Sequence, residues 1–316
     1  MTDRLAARYR RFAETEALGH SPLYHALANG VADDPDVLAF LATLPPDKQQ
    51  PNLLLAAVRH VAGTPPDWPA FRAALVARRE EVRAMMLARG TQTNEPARCA
   101  VLLPVLTRLP EPLALLEVGA SAGLCLLPDR YGYEYAGQRL GAASPVFPCR
   151  IDLPPPTMIP PIVWRAGLDL NPINPTDADQ AAWLETLVWP DQPHRLERLR
   201  AALAIARSDP PPVLKGDLRT DLPALAATAP PDATLVVFHT AVLGYLPNPA
   251  ERAAFAATVR DLGAVWISNE VPAVFPDIAA RAPTPRPRGA FLLAVNGAPM
   301  AWTDPHGAWM QWFGAG

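Results

Sequence analysis

The order of short apolar runs after residue 110 constrains the fold most strongly, because these runs alternate with stretches of helical periodicity. Predicted strands cover residues 113–118, 162–168, 212–215, 234–238, 264–268, 291–295 and 308–312. Strands that alternate with helices are joined by right-handed crossovers, which build a mainly parallel sheet. We therefore predict an α/β fold with a mainly parallel, seven-stranded sheet. The last two strands have no helix between them, so we expect an antiparallel hairpin at one edge.

The first hundred residues show helical periodicity without strand-like alternation. Predicted helices cover residues 4–18, 22–30, 35–43, 52–60, 69–89 and 94–109. We expect residues 1–109 to form a helical N-terminal domain and residues 110–316 to form the α/β domain. Residues 125–161 interrupt the strand–helix alternation and are rich in proline, so we expect an inserted hairpin and loop there.

The composition excludes several classes of protein. An apolar fraction of 50% supports a buried core and excludes an intrinsically disordered chain. A net charge of −3 without a basic stretch argues against a nucleic-acid partner. The chain has no apolar run long enough to span a membrane and no signal peptide, so we expect a cytoplasmic protein. The cysteines and histidines lack ligand spacings, and we predict neither a disulfide nor a metal site.

A glycine-rich turn directly follows the first predicted strand. In open α/β sheets, ligands bind beyond the carboxyl ends of strands, where a following helix offers free N–H groups. The strand-end Glu117 before Gly119 and Gly123 is similar to the first motif of class I S-adenosylmethionine-dependent methyltransferases. That similarity implies a class I methyltransferase-like sheet, in which the carboxylate side of the motif handles the methionine amino group. We accordingly assign Glu117, Gly119, Ser121 and Gly123 to cofactor binding.

Ser121 supports two interpretations. It stands where the methyltransferases commonly have another glycine, a change compatible with their motif if its φ is negative. The same turn also spells Gly-x-Ser-x-Gly, the nucleophile elbow of α/β-hydrolases, with Ser121 as the nucleophile and His239 or His306 as the base. That elbow normally follows several strands and an oxyanion segment. Here it follows a helical region, so the serine hydrolase is the less favoured alternative.

Acidic residues follow the next strands in the order that a nucleoside cofactor requires. Asp169 follows the second strand, where an acid binds ribose hydroxyls, and Asp217 follows the third, where a polar group binds adenine. Each alone is typical of a helix cap or a turn, but with Glu117 they form an ordered series. Glu134 is the alternative ribose-binding acid, because it lies closer in sequence to Gly123.

Three residues are candidates for catalysis. His239 follows the fourth strand, where a histidine can act as a general base; the alternative is a histidine held by hydrogen bonds at the rim of the sheet. Glu270 follows the fifth strand and is either a substrate-orienting carboxylate or a solvated loop residue. Glu95, together with Gln92 and Asn94, precedes a predicted helix. These side chains either cap that helix or are presented over the pocket by the helical domain.

Several motifs together resemble an uncharacterised bacterial family known as domain of unknown function 2332. They are Gln-Pro-Asn-Leu-Leu-Leu-Ala-Ala at 50–57, Thr-Gln-Thr-Asn-Glu at 91–95, Glu-Val-Gly-Ala-Ser-Ala-Gly-Leu at 117–124, Asp-Arg-Tyr at 129–131, Phe-His-Thr-Ala-Val-Leu at 238–243 and Pro-His-Gly at 305–307. One departure is Cys125, where the family's turn reads Gly-Leu-Asn. The resemblance covers nearly the whole chain and implies a core similar to the methyltransferase-type Rossmann fold.

These observations predict a protein that binds S-adenosylmethionine and methylates a small molecule or a peptide. In such an in-line displacement, positioning supplies most of the rate, and a base such as His239 is needed only if the acceptor must lose a proton. The alternatives are the Gly-x-Ser-x-Gly hydrolase and a non-catalytic nucleotide-binding module of the same fold. A Rossmann oxidoreductase ranks last, because the turn lacks Gly-x-Gly-x-x-Gly.

Overall fold

The computed structural model describes residues 2–92 and 94–314. The chain forms two compact units. The first unit comprises Met1–Thr93 and Ala178–Glu197, and the second comprises Asn94–Asp177 and Arg198–Gly316. Helices build the first unit, and the strands lie in the second.

The described residues contain twelve α-helices, many of which begin at a proline. They are α1 (Thr2–Phe12), α2 (Pro22–Asp33), α3 (Pro35–Ala42), α4 (Pro51–Ala62), α5 (Trp68–Ala77), α6 (Arg79–Ala88), α7 (Cys99–Leu106), α8 (Ala178–Leu187), α9 (Pro193–Ser208), α10 (Leu222–Ala226), α11 (Pro249–Asp261) and α12 (Pro276–Ala279). Side-chain oxygens of Ser21, Asp34 and Asp67 accept hydrogen bonds from N–H groups in the first turns of α2, α3 and α5. These N–H groups have no partner inside their helix, so the caps fix where each helix begins. Within the described part of the chain, no helix has the length and apolar character needed to cross a lipid bilayer.

Helix α4 lies at the centre of the first unit. Its residues 53–58 are all buried, and it contacts α5, α6 and α8. Trp183 of α8 is fully buried in the same core, and its indole N–H donates to the carbonyl oxygen of Gly90 at 3.0 Å. The apolar motif at residues 50–57 is therefore the packing centre of this unit.

The single helix predicted over residues 69–89 is divided in the structure into α5 and α6. Arg78 joins the two with φ −116° and ψ 29°, which lies outside the helical range. Both halves keep an apolar face, with Phe71 and Val82 fully buried. No glycine or proline marks the break in the sequence, and the apolar periodicity continues through it. The sequence pattern therefore predicts one continuous helix.

Twelve β-strands occur in the described residues, and nine of them form one sheet. They are β1 (Leu113–Val118), β2 (Gly132–Tyr135), β3 (Gln138–Gly141), β4 (Val146–Pro148), β5 (Arg150–Ile151), β6 (Ile162–Asp169), β7 (Val213–Lys215), β8 (Thr234–Thr240), β9 (Val265–Glu270), β10 (Phe291–Val295), β11 (Ala298–Thr303) and β12 (Trp309–Trp312). The large sheet has the order β5-β12-β11-β10-β9-β8-β1-β6-β7. Strands β7, β6, β1, β8 and β9 are parallel, whereas β10 is antiparallel to β9. The prediction of a mixed α/β fold with a mostly parallel sheet is confirmed.

The C-terminal edge differs from the predicted hairpin, because β10, β11 and β12 form a three-stranded antiparallel meander. Asn296 and Gly297 join β10 to β11 with φ values of 50° and 75°, as a two-residue hairpin turn requires. The prediction omitted β11, in which Pro299 interrupts the apolar pattern near the start of the strand. The sheet has nine strands where seven were predicted, since the two-residue β5 also pairs with β12.

Residues 132–148 form a second sheet of three strands, in the order β3-β2-β4. Tyr133 and Tyr135 of β2 are buried. Their hydroxyl groups donate to the carbonyl oxygens of Pro128 and Ala100 at 2.7 and 2.8 Å. Buried tyrosine hydroxyls require such partners, so these bonds fix the small sheet to the rest of the second unit.

The limit between the units lies at residues 93/94, whereas the predicted domain boundary lies at 109/110. All eight residues of α7 are buried, and the carbonyl oxygen of Ala100 accepts the Tyr135 hydroxyl. A helix that is apolar on every side lies inside a core, and α7 lies in that of the second unit. Helix α8, which follows β6 in the chain, belongs to the first unit.

Gly307 tests the packing of the loop before β12. Its φ is +82°, and an added Cβ would overlap the carbonyl oxygen of Ala97, whereas Gly289 has a similar φ of +73° and open space around it. Both alanine variants incur the left-handed backbone cost of about 1 kcal/mol. We predict that Gly307→Ala lowers the free energy of unfolding by about 2 kcal/mol more than Gly289→Ala, because only Gly307 meets a backbone atom. Urea denaturation measures both values, and equal losses would contradict this packing.

Candidate functional site

Most of the predicted site residues lie where parallel strands of the large sheet end. Strand β1 lies between β6 and β8. After β1 the chain continues to β6, which lies on one side of β1. After β7 it continues to β8, which lies on the other side of β1. In open α/β sheets, such a switch point creates a ligand crevice beyond the carboxyl ends of the strands. The loops after β1 and β8 are therefore the expected walls of a site.

The turn after β1 is left-handed at Gly119, Ser121 and Gly123, with φ values of 70°, 53° and 68°. The N–H of Gly119 donates to the carbonyl oxygen of Leu168 at 2.7 Å, which joins the turn to β6. The negative φ required of Ser121 is not found, so this serine carries strain that a glycine would avoid. A short 3₁₀ turn, Leu124–Leu126, follows in place of a helix. The expected helix N–H groups are therefore not part of this site.

Asp169, at the end of β6, holds the strained turn. Its Oδ2 accepts the backbone N–H of Ser121 at 2.8 Å, and its Oδ1 accepts that of Asn171 at 2.7 Å. Hydrogen bonds to a carboxylate are stronger than neutral ones, so Asp169 offsets the strain at Ser121. The residue predicted to bind ribose thus anchors the turn. The alternative acid, Glu134, lies in the small sheet beside Arg139, 3.4 Å away, and not at this edge.

Asn94 holds the turn from a second direction. Its Nδ2 donates to the carbonyl oxygen of Ala120 at 3.2 Å, and its Oδ1 accepts the N–H of Leu124 at 3.1 Å. Asn94 is buried, so both bonds are shielded from water. Asn94 was predicted as a helix cap or a pocket residue, and in the structure it is a positioning residue for the glycine turn.

Glu95 caps a short turn. Its carboxylate accepts the N–H of Ala97 at 3.3 Å, and its carbonyl oxygen accepts the thiol of Cys125 at 3.4 Å. The capping alternative therefore describes Glu95. Of the motif at residues 91–95, Thr93 lies outside the described residues.

Glu117 is a buried carboxyl group with one unbonded oxygen. The residue is 2% exposed, and its Oε2 has no hydrogen-bond partner among the described residues. Burial raises the pKa of Glu117 well above its usual range; Cys125 and Asp169 act in the same direction and Arg98 in the opposite one. A neutral carboxyl group can still donate or accept a further hydrogen bond. Glu117 therefore keeps hydrogen-bonding capacity that no described residue uses at Oε2.

Arg98 is a buried cation that the sequence reasoning missed. Its Nε donates to the carbonyl oxygen of Pro305 at 2.8 Å, and its Nη1 donates to the carbonyl and hydroxyl oxygens of Thr240 at 3.0 and 3.2 Å. Within the described chain, its hydrogen bonds thus go to neutral oxygens, which leave the positive charge available to an anion. The one sequence signal is a lone charge directly before the apolar α7.

His239 and Glu270 form a buried pair that holds the loop after β8. Oε1 of Glu270 accepts Nδ1–H of His239 at 2.7 Å and the backbone N–H groups of Val242 and Leu243 at 2.8 and 3.0 Å. Nε2 of His239 accepts the indole N–H of Trp266 at 3.0 Å. Because an indole N–H only donates, the proton of His239 lies on Nδ1. Both ring nitrogens are engaged, so His239 is a positioning residue and does not face a substrate as a base.

The loop held by Glu270 packs on the glycine turn. A side chain at Gly119 would overlap the methyl groups of Val242, so only glycine fits there. Glu270 also lines a cavity beside Phe275 of about 10 Å³, which has room for one water molecule. The structure therefore places Glu270 as an anchor for the loop.

The carboxylate of Asp217 is engaged in an ion pair. Arg219 binds it at 2.6 Å and also pairs with Glu251 at 2.8 Å. Hydrogen bonds from Arg219 hold the pKa of Asp217 below its usual range. The N–H of Gly216 donates to the carbonyl oxygen of Asp169 at 2.9 Å, so Asp217 follows directly after this contact with β6. Asp217 thus lies near the predicted place, but its charge is already paired.

The buried carboxyl group predicts a pH-dependent stability. Because folding raises the pKa of Glu117 above its unfolded value of 4.5, its stabilising contribution is complete below that value. The contribution is lost as pH rises toward the folded pKa, by about 1.4 kcal/mol per pH unit. We predict that Glu117→Gln becomes more stable relative to the wild type as pH rises from about 5 to 7. Urea denaturation measures this trend; the exposed Glu111→Gln is the control, and a constant difference for Glu117→Gln would contradict the assignment.

Comparison with known proteins identifies the family. Residues 6–312 match the sequence model of a bacterial family described as "Uncharacterized protein conserved in bacteria (DUF2332)". No curated protein and no solved structure matches the chain. The family match covers both units and all of the quoted motifs, so the resemblance inferred from these motifs is confirmed. The chain therefore belongs to the bacterial DUF2332 family.

Proposed function

We propose that the protein binds S-adenosylmethionine beyond the carboxyl ends of β1 and β8 and methylates a small molecule or a peptide. The observation that carries this proposal is the buried Glu117, whose Oε2 has no partner among the described residues. Arg98 is close enough for its charge to lower the pKa of Glu117. A ligand with an ammonium and a carboxylate group on one carbon complements these two side chains.

The strand order supports the same proposal. Across the sheet, the five parallel strands lie in the order β7, β6, β1, β8, β9. Numbered by their order along the chain, these strands are the third, second, first, fourth and fifth. This order is that of doubly wound nucleotide-binding sheets, in which ligands bind next to the first strand. Glu117 ends that first strand. The antiparallel β10 beside β9 agrees with the antiparallel edge expected of a class I methyltransferase-like sheet.

The residues present fit the amino-acid end of S-adenosylmethionine better than its nucleoside. Glu117 and Arg98 would hold the ammonium and carboxylate groups. Each oxygen of Asp169 already accepts one backbone N–H, but each keeps a second lone pair for a ribose hydroxyl. When bound, the cofactor supplies a methyl group on a positively charged sulfur. Asp217 is the weakest assignment, because Arg219 pairs with its carboxylate.

The protonation of Glu117 predicts that binding of S-adenosylmethionine is coupled to the release of a proton. At a pH below its raised pKa, the free protein holds a proton on this carboxyl group. A bound ammonium group favours the ionised carboxylate, because an opposite charge nearby lowers a pKa. Binding should therefore release a proton from Glu117.

The proposed reaction depends on positioning and not on a protein base. Both nitrogens of His239 are bonded to other side chains, Glu270 holds the loop after β8, and Glu95 caps a turn. None of the three predicted catalytic residues is thus directed at an acceptor. We accordingly expect an acceptor that is already nucleophilic at neutral pH and needs no proton removed by the enzyme.

The hydrolase alternative has one supporting observation, the positive φ of Ser121, which a nucleophile elbow also shows. However, Oγ of Ser121 is buried and has no hydrogen-bond partner among the described residues. A serine nucleophile requires a base within hydrogen-bond reach, and both nitrogens of His239 are bonded elsewhere. We predict that a fluorophosphonate probe leaves Ser121 unlabelled in peptide mass spectrometry; labelling that is lost in Ser121→Ala would support the hydrolase.

Isothermal titration calorimetry with S-adenosylmethionine tests the proposed function. We predict binding by the wild type and by Glu111→Gln, and binding weaker by at least about tenfold for Glu117→Gln, because a charged hydrogen bond is lost. Titrations in two buffers of different ionisation enthalpy should show proton release for the wild type and none for Glu117→Gln. Absence of wild-type binding, or equal binding by the two glutamine variants, would contradict the proposal.

A further inference from the structure

A groove in the second unit lies outside the residues of the proposed cofactor site. It has a volume of about 620 Å³ and is bounded by α11, α12 and the turn between β10 and β11. Small-molecule sites typically enclose about 300 to 1,000 Å³. Trp266, Phe275 and Ile278 form part of its apolar wall. The groove therefore has the size and the apolar surface of a small-molecule site.

Three arginines line this groove. Arg252 and Arg260 come from α11, and Arg281 comes from the segment after α12. Arg252 and Arg260 are eight residues apart, or about 12 Å along the helix axis. Asp277 is the only carboxylate among the described lining residues. The groove is therefore apolar inside and carries a net positive charge along its walls.

Backbone carbonyl groups orient two of these arginines without neutralising them. Nη2 of Arg281 donates to the carbonyl oxygen of Gly297 at 2.5 Å, and its Nε donates to that of Asp277 at 3.3 Å. Nη1 of Arg252 donates to the carbonyl oxygen of Leu246 at 2.5 Å. A guanidinium has five donors, so each keeps N–H groups for a ligand. These two cations are held in place at the groove.

Arg260 differs from the other two. It is exposed, and no hydrogen bond or ion pair to another described residue fixes its guanidinium. Arginine binds carboxylate and phosphate groups through paired N–H donors. Arg260 is thus a free cation beside an apolar wall, and it can be substituted without the loss of an internal bond.

We propose that this groove binds a small organic anion, whose apolar body lies on Trp266 and Phe275 and whose carboxylate or phosphate group is bound at the arginine-lined wall by Arg260. The inference rests on the net positive charge of the groove walls, which complements an anionic ligand. It does not depend on S-adenosylmethionine binding, because Glu117, Arg98 and the glycine turn do not line the groove.

A pair of fluorescent probes that differ in one charged group tests the proposal. Anilinonaphthalene sulfonate is an aromatic anion, and phenylnaphthylamine is its neutral analogue. We predict that the wild type binds the anion at least about tenfold more tightly than the neutral probe, and that added salt reduces this difference. Equal affinity for the two probes would overturn the proposal, since apolar contact alone would then explain binding.

Matched arginine variants locate the anion. Arg260→Gln should weaken binding of the anionic probe about fivefold and leave the neutral probe unaffected, which also shows that the groove is intact. Arg288→Gln, an exposed arginine outside the groove, should change neither affinity. Competition by octanoate and by octyl phosphate then distinguishes a carboxylate ligand from a phosphate ligand. Equal effects of Arg260→Gln and Arg288→Gln, or displacement only by an acidic peptide, would contradict a small-anion site.

Discussion

The hydrogen bond from the Ser121 backbone N–H to Asp169 is the interaction on which the candidate site depends. Three residues of the turn after β1 have left-handed backbone angles, and one of them is a serine. Such a turn persists only when its surroundings determine it. Asp169 and Asn94 take part in four hydrogen bonds in and beside the turn, and the two that the Asp169 carboxylate accepts are charge-assisted. The position of Glu117 directly before the turn follows from this arrangement.

A second buried network fixes the opposite wall. Trp266 donates to His239, His239 donates to Glu270, and Glu270 accepts the backbone N–H groups of the loop after β8. Val242 of that loop occupies the space above Gly119. Glu117 Oε2 has no hydrogen-bond partner among the described residues, and Arg98 hydrogen-bonds only to neutral oxygens there, so both groups keep capacity for a ligand. The same Trp266 lines the arginine groove, so one indole ring borders both the network and the second proposed site.

The sequence was sufficient to locate the parallel strands and the glycine turn after the first of them, because buried apolar runs and glycines act locally. It was insufficient wherever a distant residue decides the role of a side chain. His239 has the position of a strand-end base, but Trp266, 27 residues away, occupies its second nitrogen. No sequence motif marks Arg98 as a site residue, because its hydrogen-bond partners at residues 240 and 305 are remote in sequence. A 3₁₀ turn follows Gly123, and residues 132–148, which lie in the segment expected to hold an inserted hairpin and loop, form the small sheet, whose strands are too short for periodicity to define.

The protonation of Glu117 tests the central claim most directly. Infrared difference spectroscopy of the protein with and without S-adenosylmethionine detects the carbonyl stretch of a protonated carboxyl group. If Glu117 receives the ammonium group of the cofactor, this band is present in the free wild type, disappears on binding, and is missing in Glu117→Gln. An unchanged band in the presence of bound cofactor would contradict the assignment of Glu117 and the site built around it.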